Sequence, residues 1–444
     1  MSPEGKVLLV QPALPPCPRR ETDASAPGWK STARWARVGR CRGPGQRISC
    51  RDARSRRPDL LTAAERRLPD ELRAPPLSAR DLSRDQFGAG DPFSLGVEEE
   101  LFLVDPLTGH QANASAAVVE RVGDVTGTVE QELHACQVEL ITEVCANTGE
   151  AIGQLRAMRQ AVGATGAGLI GSGTHPSAIE GDAEITDKDR YERIQFLLGD
   201  AAVTPVAGLH VHIAMPDPPT AIRAFNRLRH HLPLLAALAA NSPFRHGRDT
   251  GLASAREVTM RSWPRSGVPR SLSDFADFCA LAELLATAAD VPDYTWFWWK
   301  LRPHPRLGTV EIRALDAQAS LEDTAAIVAL THCLARDAAE AGGDAQPESP
   351  PELVEEGLFR AARFGVRARL PDAEGRLRPV HELLDEAIRR ALRHADELDC
   401  RAELDLLPGL LERAGGAGRQ RRFYEIAGMD ALLRELAALT TEPS

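Results

Sequence analysis

The chain has 444 residues, of which 43% are hydrophobic and 26% are charged, and this composition is typical of a globular protein with a large buried core. Its net charge is −10, but residues 1–90 hold 18 of the 53 Lys and Arg and only 10 of the 63 Asp and Glu, so this head is basic and the remainder strongly acidic. An acidic body argues against nucleic-acid binding, which depends on clustered basic groups, and is compatible with divalent metal ions.

The eight cysteines lack CxxC spacing and form no short disulfide framework. No run of 18 apolar residues is present, and "KVLLVQPALPP" near the start is too short for a secretory signal. We therefore expect reduced cysteines, no membrane span and a cytoplasmic location.

Residues 1–90 are rich in Arg, Pro, Ser and Gly and show no sustained hydrophobic period, which predicts a basic, disordered extension. An unselected extension is the favoured interpretation, because no motif in it carries a mechanism. A tail for anionic partners or an organelle presequence are the alternatives. The folded domain is predicted to span residues 91–444.

Beyond the extension, short strands and helices intermix. In chain order, strands are predicted at "FSLGVEEELFLVD", "QVELITEVC", "AGLIGSGTHP" and "AGLHVHIAM", then a helix at "TAIRAFNRLRHHLPLLAALAAN" and two strands in "TWFWWKLRPHPRLGTVEIRALDAQ". Asn147, with Glu150 three residues later, predicts the start of a helix. After Leu321 the chain is mainly helical, with a linker at 340–352. Because strict βαβ alternation is missing, we predict an α+β fold with an antiparallel sheet.

Four of the predicted strands carry ionisable groups with a period of two. These groups are Glu98 and Glu100, Glu139, His210 and His212, and Glu311 with Arg313. Since alternate residues of a strand share a face, pairing of these strands would gather the groups on one surface. Several carboxylates cannot stay ionised together without a cation, and an oxygen-rich set with some histidine suits Mg²⁺ or Mn²⁺ better than Zn²⁺. The pattern therefore predicts a metal centre.

A metal-dependent hydrolase is an alternative interpretation of the His-x-His pair. Such a site would need more histidine ligands at other strand ends, whereas the remaining polar strand residues are Glu and Arg. A requirement for ATP during turnover would separate the two interpretations.

Seven separated motifs resemble one family in order and spacing. They are "SLGVEEELFLVD", "QVELITEVC", "GSGTHP", "GLHVHIAM", "NSPFRHGRDTGLASAR", "LRPHPRLGTVEIRALDA" and "RAARFGVRARL", and together they cover about residues 93–400. This pattern is similar to the YbdK-like carboxylate-amine ligases, the type-2 glutamate–cysteine ligases. The resemblance implies a glutamine synthetase/glutamate–cysteine ligase-like fold: a curved antiparallel sheet with helices packed on its outer face, and with ATP, metal and substrate on the concave face.

The same resemblance implies roles position by position. The implied metal ligands are Glu98, Glu100, Glu132, Glu139, His210 and Glu311, while Glu99 would point away from the site. Arg313 would face the transferred phosphoryl group, and Arg256 would hold a substrate carboxylate or phosphate. Both arginines are thus implied to be catalytic and to contact the nucleotide.

The implied reaction is an ATP-dependent ligation with Mg²⁺, or Mn²⁺, as the second cofactor. ATP converts a carboxylate to an acyl phosphate, and an amine then displaces phosphate to give an amide. Glutamate and cysteine, which give γ-glutamylcysteine, are the family's substrates, although members similar to YbdK are often poor at that reaction. Small molecules are therefore the expected partners, without nucleic acid or membrane, and a homodimer remains open. A non-catalytic nucleotide-binding homologue is the remaining alternative.

Overall fold

An antiparallel sheet carries the polar strand residues. In the computed structural model, which describes residues 85–179, 181–340 and 349–441, the strands are β1 (Leu95–Val104), β2 (Thr128–Gln131), β3 (Gln137–Ile141), β4 (Gly168–Ile170), β5 (Gly208–Ala214), β6 (Phe244–Arg245), β7 (Arg248–Asp249), β8 (Leu301–His304), β9 (Thr309–Asp316), β10 (Arg369–Pro371) and β11 (Leu377–Pro379). The main sheet has the order β2-β3-β1-β5-β9-β8, with β4 paired to β1, and every pairing is antiparallel. The prediction of an antiparallel α+β fold is confirmed. The four strands with ionisable groups are consecutive neighbours in this sheet.

Helices cover the sheet and dominate the C-terminal half. They are α1 (Ser115–Arg121), α2 (Thr148–Ala164), α3 (Asp189–Leu198), α4 (Pro218–Ala239), α5 (Ala255–Met260), α6 (Phe275–Ala289), α7 (Leu321–Glu340), α8 (Pro351–Phe364), α9 (Val380–Ala391), α10 (Arg401–Leu404), α11 (Leu407–Glu412), α12 (Gly415–Ala427) and α13 (Met429–Thr441). Helix α4 packs on β8 and β9, and α7 packs on α4 and β5, so these two buried helices support one face of the sheet. No described helix is long and apolar enough to cross a membrane.

Local signals place the helix that follows β3. The side chain of Asn147 accepts a hydrogen bond from the backbone N–H of Glu150 at 2.9 Å, and the Glu150 carboxylate accepts one from Ala146 N–H at 2.8 Å. Both bonds satisfy backbone donors near the start of α2, as the predicted capping pattern requires.

A β-bulge interrupts the pairing of β5 with β9. His212 lies opposite Glu311, but the register shifts between Leu209 and Val211, and Asp316 consequently lies opposite Gly208. Residues directly opposite each other share a face of the sheet. The bulge therefore returns Asp316 to the face that carries the ionisable groups, where simple alternation from Glu311 would not place it.

Residues 86–90 pack against the folded body. Gln86 N–H donates to Pro305 O at 2.8 Å, Gly88 N–H donates to Met215 O at 3.0 Å, and Phe87 packs edge-on against the ring of Phe275. The predicted extension otherwise falls on residues 1–84, outside the described residues, as does most of the predicted linker. The domain boundary at residue 90 remains a prediction, and these contacts place its experimental test at residue 85. Among the described cysteines, those at 136, 145, 279, 333 and 400 are free thiols.

Candidate active site

Facing residues on four neighbouring strands bring carboxylates and imidazoles together. Glu98 on β1 lies opposite His210 on β5, Glu100 lies opposite Glu139 on β3, and the bulge leaves His212 opposite Glu311 on β9. The period of two along each strand predicted this shared face, and strand order makes the faces adjacent.

Two groups of potential metal ligands share Glu98. Glu98 with Glu139 and His210 forms one group, and Glu98 with His212 and Glu311 forms the other, each with ligand atoms within 4.8 Å of one another. Glu98 Oε2 lies 3.1 Å from His210 Nδ1, and Glu98 Oε1 lies 3.2 Å from His212 Nε2. His212 was absent from the predicted ligand set, although its position two residues after His210 was the signal for it.

Glu132 lies close to this cluster without belonging to either group. Its carboxylate accepts a hydrogen bond from the Tyr191 hydroxyl at 3.4 Å. Burial and the neighbouring Glu100 raise the pKa of Glu132 to about 7. Burial, and then the charges of Glu132 and Glu98, raise the pKa of Glu139 well above its usual range. The charge of Arg313 only partly offsets these effects, so the described residues leave an excess of negative charge on this side of the site.

The pKa values of the two imidazoles are shifted in opposite directions by their surroundings. Burial and the nearby Arg313 lower the pKa of His210, whereas Glu98 and Glu311 raise the pKa of His212 against the effect of its burial. Burial also disfavours ionised Glu98, but the two histidines outweigh it and lower its pKa well below the usual range. His210 Nε2 is buried and has no hydrogen-bond partner among the described residues, and His212 Nε2, equally buried, lies 3.2 Å from Glu98 Oε1 without meeting hydrogen-bond geometry. Two such ligand atoms beside carboxylates fit divalent metal binding.

Glu311 is instead neutralised by two arginines. It is fully buried, and it accepts from Arg302 through both carboxylate oxygens and from Arg313 through Oε1. Burial opposes its ionisation, but Arg302 and Arg313 outweigh this and lower the pKa of Glu311 well below its usual range. The sequence analysis missed Arg302, which pairs with Glu311 across the β8–β9 hairpin. Counting the hairpin register back from "PHPRLG" would have found it.

Arg256 lies at the opposite end of β5 from His212. It is 4% exposed, and its guanidinium donates to Arg313 O at 3.3 Å. The guanidinium lies so close to Gly208 that a β-carbon there would be 2.3 Å from its NH2 atom. Its Nε and its other terminal nitrogen are buried and have no hydrogen-bond partner in the described chain. A buried cation with two unused N–H groups fits an anionic ligand.

Glu99 points to the other face of β1, as alternation predicted, yet it does not meet water. It is fully buried, and its two oxygens accept from Arg159 Nε at 2.8 Å and NH2 at 2.5 Å. Arg159 also donates to the carbonyl oxygens of Gln318 and Ala319, each at 2.8 Å. This pair joins the sheet to α2 and to the chain segment before α7.

A cavity of about 430 Å³ adjoins the His212 side of the cluster. Its lining is mainly apolar, with Glu98, His212 and Arg306 as charged or titratable members. Residues 86 and 88–90 form part of its wall. The site is thus arranged along β5: the cavity beside Ala214, the ionisable cluster in the middle, and Arg256 at Gly208.

Comparison with known proteins assigns the family. The profile described as glutamate-cysteine ligase family 2 matches residues 94–436. The chain belongs to glutamate–cysteine ligase family 2. It is 41% identical over 348 residues to a Rubrobacter xylanophilus protein named "Putative glutamate–cysteine ligase 2-3", covering 76% of this chain and 93% of that protein. A second Rubrobacter xylanophilus relative, named 2-1, is 38% identical over 345 residues, covering 76% of this chain and 91% of the relative.

Solved structures share the fold of this glutamate–cysteine ligase family 2 chain at low sequence identity. Glutamate–cysteine ligase from Francisella tularensis, solved in complex with AMP, has a TM-score of 0.57 and 11% identity, covering 79% of this chain and 89% of that chain. A bifunctional glutathione synthetase from Pasteurella multocida has a TM-score of 0.57 and 15% identity, covering 81% of this chain and 53% of that chain. The predicted glutamate–cysteine ligase-like fold is confirmed.

Proposed function

We propose that this family member is an ATP-dependent carboxylate-amine ligase that forms an amide through an acyl phosphate. One observation carries the proposal: a largely apolar cavity, a cluster of carboxylates and imidazoles, and the buried side chain of Arg256 lie one after another beside β5. These three parts fit a nucleotide base, a triphosphate and an acceptor carboxylate, in that order.

The cavity is suited to the adenine base. It is enclosed mainly by apolar groups, and His212 and Glu98 line the side at which the cluster begins. Ligand cavities of this size with few polar groups fix orientation through those groups. The AMP complex of the Francisella fold neighbour supports a nucleotide here, because the two chains share their fold. From the cavity, the phosphates would extend toward His210, about 13 Å along β5 from Ala214 at an extended-strand rise.

The carboxylate side of the cluster would hold the metal. Glu98, Glu139 and His210 form the group that contains a carboxylate with a raised pKa, Glu139, and Glu100 lies 3.6 Å from His210 Nε2. Glu132, at the edge of the cluster, would be a further ligand. A bound Mg²⁺ or Mn²⁺ supplies charge neutralisation for the triphosphate oxygens.

Arg313 and Arg256 would have separate roles in the reaction. The acceptor carboxylate oxygen attacks the γ-phosphorus, ADP leaves, and the amine nitrogen then attacks the acyl carbon, loses its proton and releases phosphate. Phosphoryl transfer depends on positioning and on stabilising charge that develops, and the fixed guanidinium of Arg313 suits that role. The unused N–H groups of Arg256 would hold a carboxylate of the acceptor.

Glutamate as acceptor and cysteine as amine are the first substrates to test, because the relatives' names specify both. The experiment measures ADP and phosphate release with ATP, Mg²⁺ or Mn²⁺, a panel of amino-acid carboxylates and a panel of amines. We expect release that requires the carboxylate and rises with the correct amine. ATP-independent hydrolysis of a substrate would favour the hydrolase alternative, and tight nucleotide binding without turnover would favour the non-catalytic homologue.

A further inference from the structure

Asp316, at the end of β9, is a buried carboxylate that the proposed chemistry does not use. It is 2% exposed and accepts three hydrogen bonds. Asn241 N–H donates at 2.9 Å and the Ser242 hydroxyl at 2.6 Å to Oδ2, and the Ser254 hydroxyl donates at 2.9 Å to Oδ1. The carboxylate thus joins β9 to the turn after α4 and to the residue that precedes α5.

The two serines transmit this constraint to the helix that carries Arg256. Burial raises the pKa of Asp316, but its carboxylate already receives the Asn241 N–H and both serine hydroxyls, so both hydroxyl protons point toward Asp316 and leave the oxygen lone pairs free. Ser242 Oγ accepts from the backbone N–H of Arg256 at 3.2 Å, and Ser254 Oγ accepts from that of Glu257 at 3.1 Å. Asp316 therefore sets the direction of both side-chain hydrogen bonds to the first turn of α5.

The same carboxylate is packed without spare room. A β-carbon at Gly173 would lie 2.5 Å from the Asp316 carboxyl carbon and 2.7 Å from Ser242 Oγ. Across the bulge, Asp316 lies opposite Gly208, which the Arg256 guanidinium approaches closely. The backbone of Arg256, through Ser242, and its guanidinium, through Gly208, are thus both positioned by contacts near the end of β9 where Asp316 lies.

We propose that Asp316 is the positioning residue for Arg256 and thereby determines affinity for the acceptor carboxylate, independently of ATP. This inference rests on the function proposed above. Asp316 itself touches no substrate, because its oxygens are committed to Asn241, Ser242 and Ser254. In Asp316→Asn, the amide group donates where only acceptance fits, so at least one serine must reverse its hydroxyl and release the helix.

The test is steady-state kinetics of Asp316→Asn with glutamate as the probe carboxylate. We expect the KM for glutamate to rise by on the order of 10-fold, the range associated with one charge-assisted hydrogen bond, while the KM for ATP stays within about twofold. Calorimetric binding of glutamate, in the presence of Mg²⁺ and a non-hydrolysable ATP analogue, gives the same comparison without turnover. Ser242→Ala is a milder variant, and we expect a smaller rise in the glutamate KM.

A double-mutant cycle separates positioning from general destabilisation. If Asp316 acts through Arg256, Asp316→Asn should add little to the glutamate KM once Arg256→Lys is present. Asp323→Asn is the matched control. Asp323, on α7, is equally buried and pairs with Arg413 at 2.8 Å and with Arg419 at 2.5 Å. We expect this control to lower the melting temperature without a selective change in the glutamate KM.

The outcomes distinguish the two proposals. A wild-type chain that neither turns over ATP with any carboxylate nor binds one overturns the proposed function, and this inference with it. Normal wild-type turnover combined with equal changes in both KM values, or with additive effects in the cycle, overturns the role of Asp316 alone. A selective, non-additive rise in the glutamate KM supports it.

Discussion

Arg302 and Arg313 share the Glu311 carboxylate but differ in how firmly they are held. Arg302 also donates to the carbonyl oxygens of Tyr294, Thr295 and Phe297, at 3.4, 3.3 and 3.0 Å. Arg313 has a partly exposed side chain, and the described residues offer it only the Glu311 carboxylate as a hydrogen-bond acceptor. Arg302 is thus a fixed counter-charge, whereas Arg313 retains donors for a phosphoryl group.

Arg313→Lys should therefore lower kcat by about 10²–10³-fold while the ATP KM and the melting temperature change little. An interaction made mainly in the transition state affects kcat, and the loss of one preorganised donor has this magnitude. Steady-state kinetics with a thermal melt measures both effects. Arg270→Lys, at an exposed pair with Asp277, is the matched control and should keep normal turnover. A near-normal kcat in Arg313→Lys would remove this residue from the catalytic set.

Neighbouring glutamates on β1 should respond in opposite ways to the same substitution. Glu98→Gln removes a carboxylate shared by both ligand groups, so we expect a higher Mg²⁺ requirement and lower activity with a nearly unchanged fold. Glu99→Gln leaves buried Arg159 without its counter-charge, which costs about 3–5 kcal/mol of unfolding free energy. Urea unfolding and Mg²⁺ titration of both variants make the comparison. Equal stability of the two proteins would contradict the assignment of faces.

At the scale of elements, the segment before β1 forms part of the cavity proposed for the nucleotide. Gln86, Gly88, Ala89 and Gly90 line that cavity, and backbone hydrogen bonds tie the segment to the β8–β9 hairpin and to the end of β5. The segment thus links the residues that precede the sheet to the proposed base site.

Two truncations test this element. A chain starting at residue 85 should retain activity and melting temperature, because it keeps the cavity wall. A chain starting at residue 91 should show a raised ATP KM and a melting temperature lower by a few degrees, since it loses those backbone contacts. Steady-state kinetics and thermal melts of both truncated chains measure the ATP KM and the melting temperature. Loss of activity in the chain that starts at residue 85 would instead assign residues 1–84 a role in the site or in an assembly.

At the scale of the whole molecule, surplus buried carboxylates couple stability to pH and metal. A carboxyl whose pKa is raised by folding stabilises the fold while protonated, and this contribution is lost as pH rises through the folded-state value. For Glu132 that loss occurs between its ordinary value and about 7, and the raised pKa of Glu139 acts in the same direction. Metal binding should offset the loss, because a cation favours the ionised forms.

We therefore expect the metal-free melting temperature of the wild type to fall relative to that of Glu132→Gln between pH 5 and pH 8, and Mg²⁺ to stabilise the wild type more at pH 8 than at pH 5. Buried histidines with lowered pKa values, such as His175 and His231, add stability as pH rises, but they do so equally in both proteins. Glu130→Gln, at an exposed position in β2 two residues before Glu132, is the matched control and should keep the wild-type profile. Thermal melts in EDTA and in Mg²⁺ at both pH values make the measurement, and a pH-independent Mg²⁺ effect would contradict the prediction.

The local pattern of the sequence determined which faces of the strands carry charge. Alternation along "GVEEE", "HVHI" and "TVEIR", together with the cap at Asn147, depends on backbone geometry within a few residues, so the sheet class and the clustering of Glu98, His210 and Glu311 were predictable. Family resemblance added the roles proposed for Glu132 and Arg256, which no local period indicates.

Tertiary structure alone decided the rest. Arg302 reaches Glu311 through strand pairing, Asp316 joins the functional face because of a bulge opposite β5, and Glu99 is buried because α2 supplies Arg159 from 60 positions away. Pairing register, bulges and helix packing are set by contacts between distant segments, whose burial and charge balance no short window of sequence contains.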